Sequence, residues 1–505
     1  ISNDTKSRSF YKMIELLAKK QRRQMRLLET LIREKRWFHL KELAEMLDCT
    51  ERSLKEDLSN LRTVFNEFLI ESSTNGIKIS YDDSIGIEVV YHHFFKESTA
   101  FSLLEYLFFH KDVSSDLICR RYDLSQQSFY RLIRNINQII QEKYNIRITL
   151  NPLNVVGDEV DIRFFYSQYF AERYYYLEWP FPDIREQVII DFITFFYKLT
   201  EIPLTYSIFH SYKIMLTVYL YRIKQGYRIE GANNFEQYAY LYQELPKINE
   251  MLRYFGLQLG VEFNEEIIEQ LFIIFLQKRF YFTPQDLIDS TEEDAVTKKS
   301  YILASQFLDH LSESYGLELE NYEEMIMHIH NTAYLERREI FGEFLLYDTK
   351  SYTNEDYRTL FPKFYQDVET GLYHYLKEMG FHENPENLKH QIYTVFSHWE
   401  NLLPQLLRRR TAVKVLIISR YDDHHAKSMI DFLKFYCTDN FEFSQVIKHD
   451  FNLHELEHTE YDVIVANFMI PNIKGKKFIC TSSLTLLELV EKLNVLFYDF
   501  TRYGV

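Results

Sequence analysis

Leu43-Ala44-Glu45-Met46-Leu47-Asp48-Cys49-Thr50-Glu51-Arg52-Ser53-Leu54 and Ile118-Cys119-Arg120-Arg121-Tyr122-Asp123-Leu124-Ser125-Gln126-Gln127-Ser128-Phe129 are one pattern written twice, 75 residues apart. Each runs from a short apolar helix to an Asp, then an apolar residue or Cys, then Thr50 or Ser125, good N-caps for a second helix. Leu54, Leu58 and Leu61 in the first copy match Phe129, Ile133 and Ile136 in the second, a spacing that puts three apolar groups on one helical face. A β-like tail follows each second helix. The first is Gly76–Ser80 after the hairpin signal Asn75-Gly76; the second is Asn145–Thr149 with Asn154–Gly157. Helix, turn, helix and short wing, twice, is a tandem winged helix-turn-helix.

Charge supports this reading. The 505 residues carry a net −16, yet residues 1–65 hold 15 Lys+Arg against 10 Asp+Glu and residues 111–150 hold 7 against 4. The rest therefore bears −24. A basic front on an acidic body is what a chain needs when only its front meets phosphate. In such units the second helix enters the major groove. The candidate contacts are Arg52, Ser53, Lys55 and Glu56, with Lys41 and Arg62 on phosphates and Lys78 on the wing. In the second unit they are Gln126, Gln127, Tyr130, Arg131 and Arg134. Gln and Arg have the donor geometry that reads adenine and guanine edges.

Gly (13) and Pro (10) are scarce and aromatics are abundant, which favours long helices with large core side chains. The fold class expected is mainly α and multidomain. Its parts are a first winged helix-turn-helix with an N-terminal helix (1–90), a second helix-turn-helix (91–157), two helical domains (158–285 and 286–407) and a C-terminal α/β domain (408–505). The polar stretch Thr283–Lys299 reads as a linker between the helical domains. Strand-like Val413–Ile418, Phe441–Ile447 and Tyr461–Ala466 alternate with helical Ala426–Tyr436 and Leu484–Leu496, implying a small parallel sheet. Cys49, Cys119, Cys437 and Cys480 form no CxxC pair, so no zinc ribbon or disulfide framework is indicated. No apolar stretch approaches the roughly 20 residues of a membrane span. A cytoplasmic protein with no cofactor, metal or membrane association is expected.

The domain order and the segment Leu40–Leu61 resemble the Mga/AtxA family of Gram-positive virulence regulators, across nearly the whole chain. The resemblance implies a cytoplasmic transcription factor, a homodimer held by a C-terminal domain similar to enzyme IIB of the sugar phosphotransferase system. Its helical domains would be phosphotransferase-regulation domains (PRDs), whose histidines take phosphate from a phosphocarrier protein. Such domains often place His seven residues before Arg. His330 stands so before Arg337. In the first domain the matching Arg is Arg222, but seven residues earlier stands Met215, and the nearest histidine is His210. A second histidine near the domain's end points to His398 or His390. The candidate phosphorylation sites are therefore His210, His330 and His398, with His328 and His390 behind them. A neutral imidazole nitrogen is nucleophilic near neutral pH, which suits it to this exchange. His328 and His330 also form a weak metal pair, opposed by an i, i+2 spacing that points the rings apart.

In the tail the loop after the first strand is Ser419–His425, without the cysteine nucleophile of a working enzyme IIB, so a non-enzymatic dimerisation or docking module is expected. Arg408-Arg409-Arg410 reads as a solvated linker and Tyr174-Tyr175-Tyr176 as packing. The reading reached is a DNA-binding transcription regulator acting on duplex promoter DNA. Its alternatives are an RNA-binding PRD-type antiterminator, which would need a β-rich front module, and a phosphotransfer-relay component, which would need a nucleophile in that loop.

Overall fold

The computed structural model describes residues 12–174, 178–200, 206–230, 248–272, 279–334, 345–382, 385–408, 412–437, 440–446, 456, 459–470 and 476–501. The chain is mainly α and divides into two compact units, Ile1–Phe282 with Arg337–Asp348, and Thr283–Glu336 with Thr349–Val505.

In the first unit, α1 (Lys19–Glu34) precedes the first repeat, α2 (Leu40–Met46) and α3 (Glu51–Val64). The wing β1 (Leu69–Ser73) and β2 (Gly76–Ser80) follows. After α4 (Glu88–Glu97) and α5 (Thr99–Phe109) comes the second repeat, α6 (Ser115–Arg121), α7 (Gln126–Tyr144), β3 (Arg147–Ile148) and β4 (Val155–Val156). The repetition extends to the backbone. Asp48 and Asp123 end the two turns in the left-handed region at φ 48° and 51°. The Thr50 and Ser125 hydroxyls accept from Ser53 N–H and Ser128 N–H, capping α3 and α7. Each wing is anchored by a bridge from the segment before its first helix, Phe38 to Ile77 and Val113 to Leu153. Gly76, at φ 119°, is required there, because a Cβ would lie 2.1 Å from the Phe38 carbonyl oxygen.

The apolar triads Leu54/Leu58/Leu61 and Phe129/Ile133/Ile136 are buried as their spacing predicts. A polar network that the apolar pattern does not reveal holds α3 to α1. The Asp57 carboxylate, fully buried, accepts from the Arg23 guanidinium and from Gln24 Nε2 at 3.1 Å.

α8 (Glu159–Tyr174) is lined with aromatic rings, and its Tyr166 and Tyr169 hydroxyls donate to the Leu104 and Phe101 carbonyls of α5, each at 2.9 Å. α9 (Glu186–Thr200), α10 (Tyr206–Lys224), α11 (Asn249–Leu259) and α12 (Glu265–Phe272) follow. Glu159 accepts from buried Arg163 at 2.9 Å and from Arg222 of α10 at 2.6 Å, and Arg163 also donates to the Gln270 carbonyl of α12 at 3.1 Å.

The second unit contains α13 (Pro284–Glu293), α14 (Ala295–Tyr315), α15 (Tyr322–Tyr334), α16 (Thr349–Leu360), α17 (Pro362–Met379), α18 (Pro385–His398) and α19 (Leu402–Arg408). The expected linker Thr283–Lys299 is helical instead. Thr283 caps α13 ahead of Pro284, Leu287 is buried, and Asp294 caps α14. A polar surface helix and a linker share a composition; the caps distinguish them. β5 (Val413–Ile418), α20 (Asp423–Tyr436), β6 (Phe441–Gln445), β7 (Val463–Ala466), β8 (Lys477–Cys480) and α21 (Leu486–Thr501) close the chain. The sheet is parallel, in the order β6-β5-β7-β8. β8 was not anticipated. α20 and α21 cover one face, and Leu456 and Ile470 pack on the other. Among the described residues no helix is long and apolar enough to cross a membrane.

Replacing Asp57 with Ala strips Arg23 and Gln24 of a buried acceptor. The loss should be about 2–4 kcal/mol, read as a lower urea midpoint with unchanged slope.

Candidate nucleic-acid interface and histidine sites

The cap at Thr50 directs the first turn of α3 outward, and the buried triad turns the opposite face to solvent. Arg52, Lys55 and Glu56 stand exposed there, with Lys41 and Glu45 on α2. The ion pairs on this face are loose, Arg52 to Glu56 at 3.2 Å and Lys41 to Glu45 at 3.9 Å, so water or phosphate can replace them. Two candidates have intramolecular work. Ser53 lies 3.0 Å from the Thr50 hydroxyl, within the cap. Arg62 donates to the Ile70 carbonyl at 2.9 Å and to the Ser72 hydroxyl, fastening wing to recognition helix. Lys78 is half-buried on the wing, 6.0 Å from the centre of the Trp37 ring.

On α7, Gln127, Tyr130, Arg131 and Arg134 are exposed on one helical face. Gln126 donates to Asp116 at 2.9 Å and so holds α7 to α6. Two further exposed cations, Arg120 and Arg121, end α6; Arg121 lies 4.5 Å from the centre of the Tyr106 ring. They stand within the repeated pattern itself, and their basicity was the available signal.

The histidines separate by environment. His210, on α10, is half-buried with its ring 4.2 Å from that of Tyr206; burial and then the Lys213 charge lower its proton affinity. Lys213 itself is buried and paired with Glu186. Arg222 holds Glu159 and stacks 3.6 Å from the centre of the Tyr227 ring, while Met215 is core.

His330 is 0% exposed, with Nδ1 2.8 Å from the Ser300 hydroxyl and its ring stacked on Tyr334. A carrier protein cannot reach it in this conformation. Arg337 lies outside the described residues, as do Tyr175, Tyr176, Arg409 and Arg410.

His328, two residues away and on the other side of α15, is half-buried against His398 at the end of α18, ring centres 4.5 Å apart. His398 Nδ1 lies 3.2 Å from the Thr394 carbonyl and 2.8 Å from the Ser397 hydroxyl. That hydroxyl already donates to the Tyr393 carbonyl at 2.6 Å. Both neighbours accept, which assigns the ring proton to Nδ1 and the lone pair to Nε2. Lys350, in the first turn of α16, lies 5.1 Å from the centre of the Tyr393 ring and adds its charge to the burial that holds the His398 proton affinity down. His390 is half-buried further back on α18. Among the described residues no group of three or more His, Cys, Asp or Glu is placed to hold a metal.

In the C-terminal sheet, Ser419 stands after β5 with its hydroxyl 3.0 Å from His425 Nδ1, and Asp422 caps α20 by accepting from His425 N–H at 2.7 Å. His425 is thus built into the first turn of a helix, whereas His424 is exposed.

Burial, followed by the neighbouring His398, takes the His328 proton affinity down to about 4. Its folded value lies below the ordinary imidazole value, so its contribution to stability is complete above about pH 6.5. Between about pH 6.5 and 4 the unfolded chain binds the proton first, and about 2–3 kcal/mol should be lost. An imidazole resonance still unshifted at pH 5, absent in His328→Gln, checks this.

Comparison with known proteins places residues 18–77 in the helix-turn-helix domain of the M protein trans-acting positive regulator, Mga. Residues 83–170 match the Mga helix-turn-helix domain, and residues 185–402 the PRD domain of the same regulator. A Streptococcus pneumoniae protein named as a trans-acting regulator is 38% identical over 489 residues, covering 96% of this chain and 99% of its own length. The Bacillus anthracis capsule synthesis positive regulators AcpA and AcpB are 24% and 22% identical, each across 60% of this chain and 64% of their own length.

Proposed function

This chain belongs to the Mga family of transcriptional regulators, and we propose that its two helix-turn-helix units grip promoter DNA while phosphate on its PRD histidines sets how tightly. The observation that supports the first half is the doubled geometry: two capped, basic, outward-facing helices on an acidic chain. Phosphate contacts would supply affinity, and the exposed Gln127, Arg131 and Arg52 the reading of bases. The words "positive regulator" in the family description and in the names of the capsule regulators favour activation over repression.

For the second half, His398 is the favoured acceptor. It is half-buried, neutral near pH 7, and presents Nε2 with its lone pair. That lone pair attacks the phosphorus of a phosphohistidine on the carrier. The carrier's P–N bond breaks, its imidazole keeps the electron pair, and a new P–N bond forms here. His210 is the corresponding acceptor of the first helical domain. A homodimer is proposed through the C-terminal domain, where Phe435 (80% exposed) of α20 and Val495 (63%) of α21 leave apolar surface to cover.

Reversing Arg52, Lys55, Arg131 and Arg134 to Glu should weaken promoter binding at least about 100-fold and flatten its salt dependence by about four counterions. Gel shifts across salt, with an RNA hairpin as competitor, measure both. Unchanged occupancy would end the DNA-grip reading. Incubation with phosphoenolpyruvate and the two general phosphotransferase proteins should label His398 and His210 and spare His330. Mass spectrometry finding label on neither would end the phosphate reading.

A further inference from the structure

Between α15 and α16 the chain leaves the second unit, and its last four residues before α16, Leu345–Asp348, belong to the first. Leu345 and Leu346 are 1% and 3% exposed within that unit's core. Their backbone N–H groups are donated to Glu172 of α8, one to each carboxylate oxygen. The next residue, Tyr347, stacks on Tyr91 of α4 with ring centres 4.5 Å apart and planes at 24°. The Tyr91 hydroxyl donates to Glu29 of α1, the helix whose Arg23 and Gln24 hold Asp57 of the recognition helix.

The other end of this segment runs straight into α16. Lys350 stands two residues beyond Asp348, with its ammonium 5.1 Å from the centre of the Tyr393 ring on α18, the helix that ends at His398. A phosphoryl group there would add about −1.5 to −2 charges and draw the Lys350 ammonium toward it.

We propose that Leu345–Asp348 is a strap that carries the charge on His398 to the first DNA-reading helix, by docking on or leaving Glu172 and Tyr91. The proposal rests on the reading of His398 as a phosphate acceptor for its natural trigger, but the strap itself does not need that trigger. Its two positions are discrete for a physical reason. Burial raises the proton affinity of the Glu172 carboxyl to about 7, and the amides of Leu345, Leu346 and Tyr347 oppose that rise together. Partial withdrawal leaves buried N–H and carboxyl groups without partners on both sides, so the strap is held or released as a piece. Release frees Tyr91 and Glu29 from one side, loosening α1 against α3.

The test uses the full chain and hydrogen exchange read by mass spectrometry. His398→Glu places a negative charge without any carrier protein, and His398→Gln is the neutral control. The glutamate variant should speed exchange at Leu345 and Leu346 about tenfold, with a smaller rise in α1, and change promoter affinity about fivefold or more. Adding Lys350→Ala should return both to the level of the glutamine control. Tyr347→Leu, which leaves the second unit intact, should speed exchange in α1 without any change at His398. Exchange at Leu345 and Leu346 that is indifferent to His398→Glu, or α1 exchange indifferent to Tyr347→Leu, overturns the strap. Absence of label on His398 from the carrier, with these responses intact, overturns the reading of His398 as a phosphate acceptor and leaves the strap standing.

Discussion

Glu159 sits where the second wing ends and the helical part of the first unit begins, and its carboxylate is shared by two buried arginines. Arg163 comes from the same helix one turn on, and Arg222 from α10. Two guanidinium groups against one carboxylate leave an excess positive charge, which the Gln270 and Tyr227 carbonyls absorb at 3.1 and 3.3 Å. Three elements that are remote in sequence are therefore registered by one cluster. Each member leaves a buried charge uncompensated if removed, which makes the cluster an all-or-none constraint more than a source of net stability. The position of α8, and with it the seat of the second helix-turn-helix, follows from it.

Carboxylates that accept from two donors in this way recur through the first unit. Asp57 ties α1 to α3, Glu159 ties α8 to α10, and Glu172 takes the amides of Leu345 and Leu346. Apolar packing would hold these elements together but would let them slide, because it has no directional preference. Hydrogen-bonded charges inside a core select one register.

The histidines of α15 show how helical periodicity divides roles between near neighbours. His330 turns inward to Ser300 and Tyr334 and is sealed; His328 turns toward His398 and is half-accessible. The spacing rule selects His330, since it counts residues along one helix and is blind to which side of that helix is covered. The ring that packs against His328, that of His398, is 70 residues away in the chain and next to it in space.

What local chemistry dictates was readable from the residues. Thr50 and Ser125 announce caps, the triads announce buried faces, and Asp48 and Asp123 recur at the same place in both copies, so the tandem helix-turn-helix and the mainly helical class followed from the sequence alone; that both Asp residues turn the chain in the left-handed region is seen only in the structure. The helices within Thr283–Lys299 were missed because polar surface helices and linkers share a composition. Which cations stand clear and which, like Arg62, are spent on the wing depends on neighbours many residues away, as do the pairing of His328 with His398 and the docking of Leu345 on Glu172. Capping and periodicity act over one or two turns and are written in adjacent letters, whereas burial and charge compensation act through space and exist only once the chain has closed on itself.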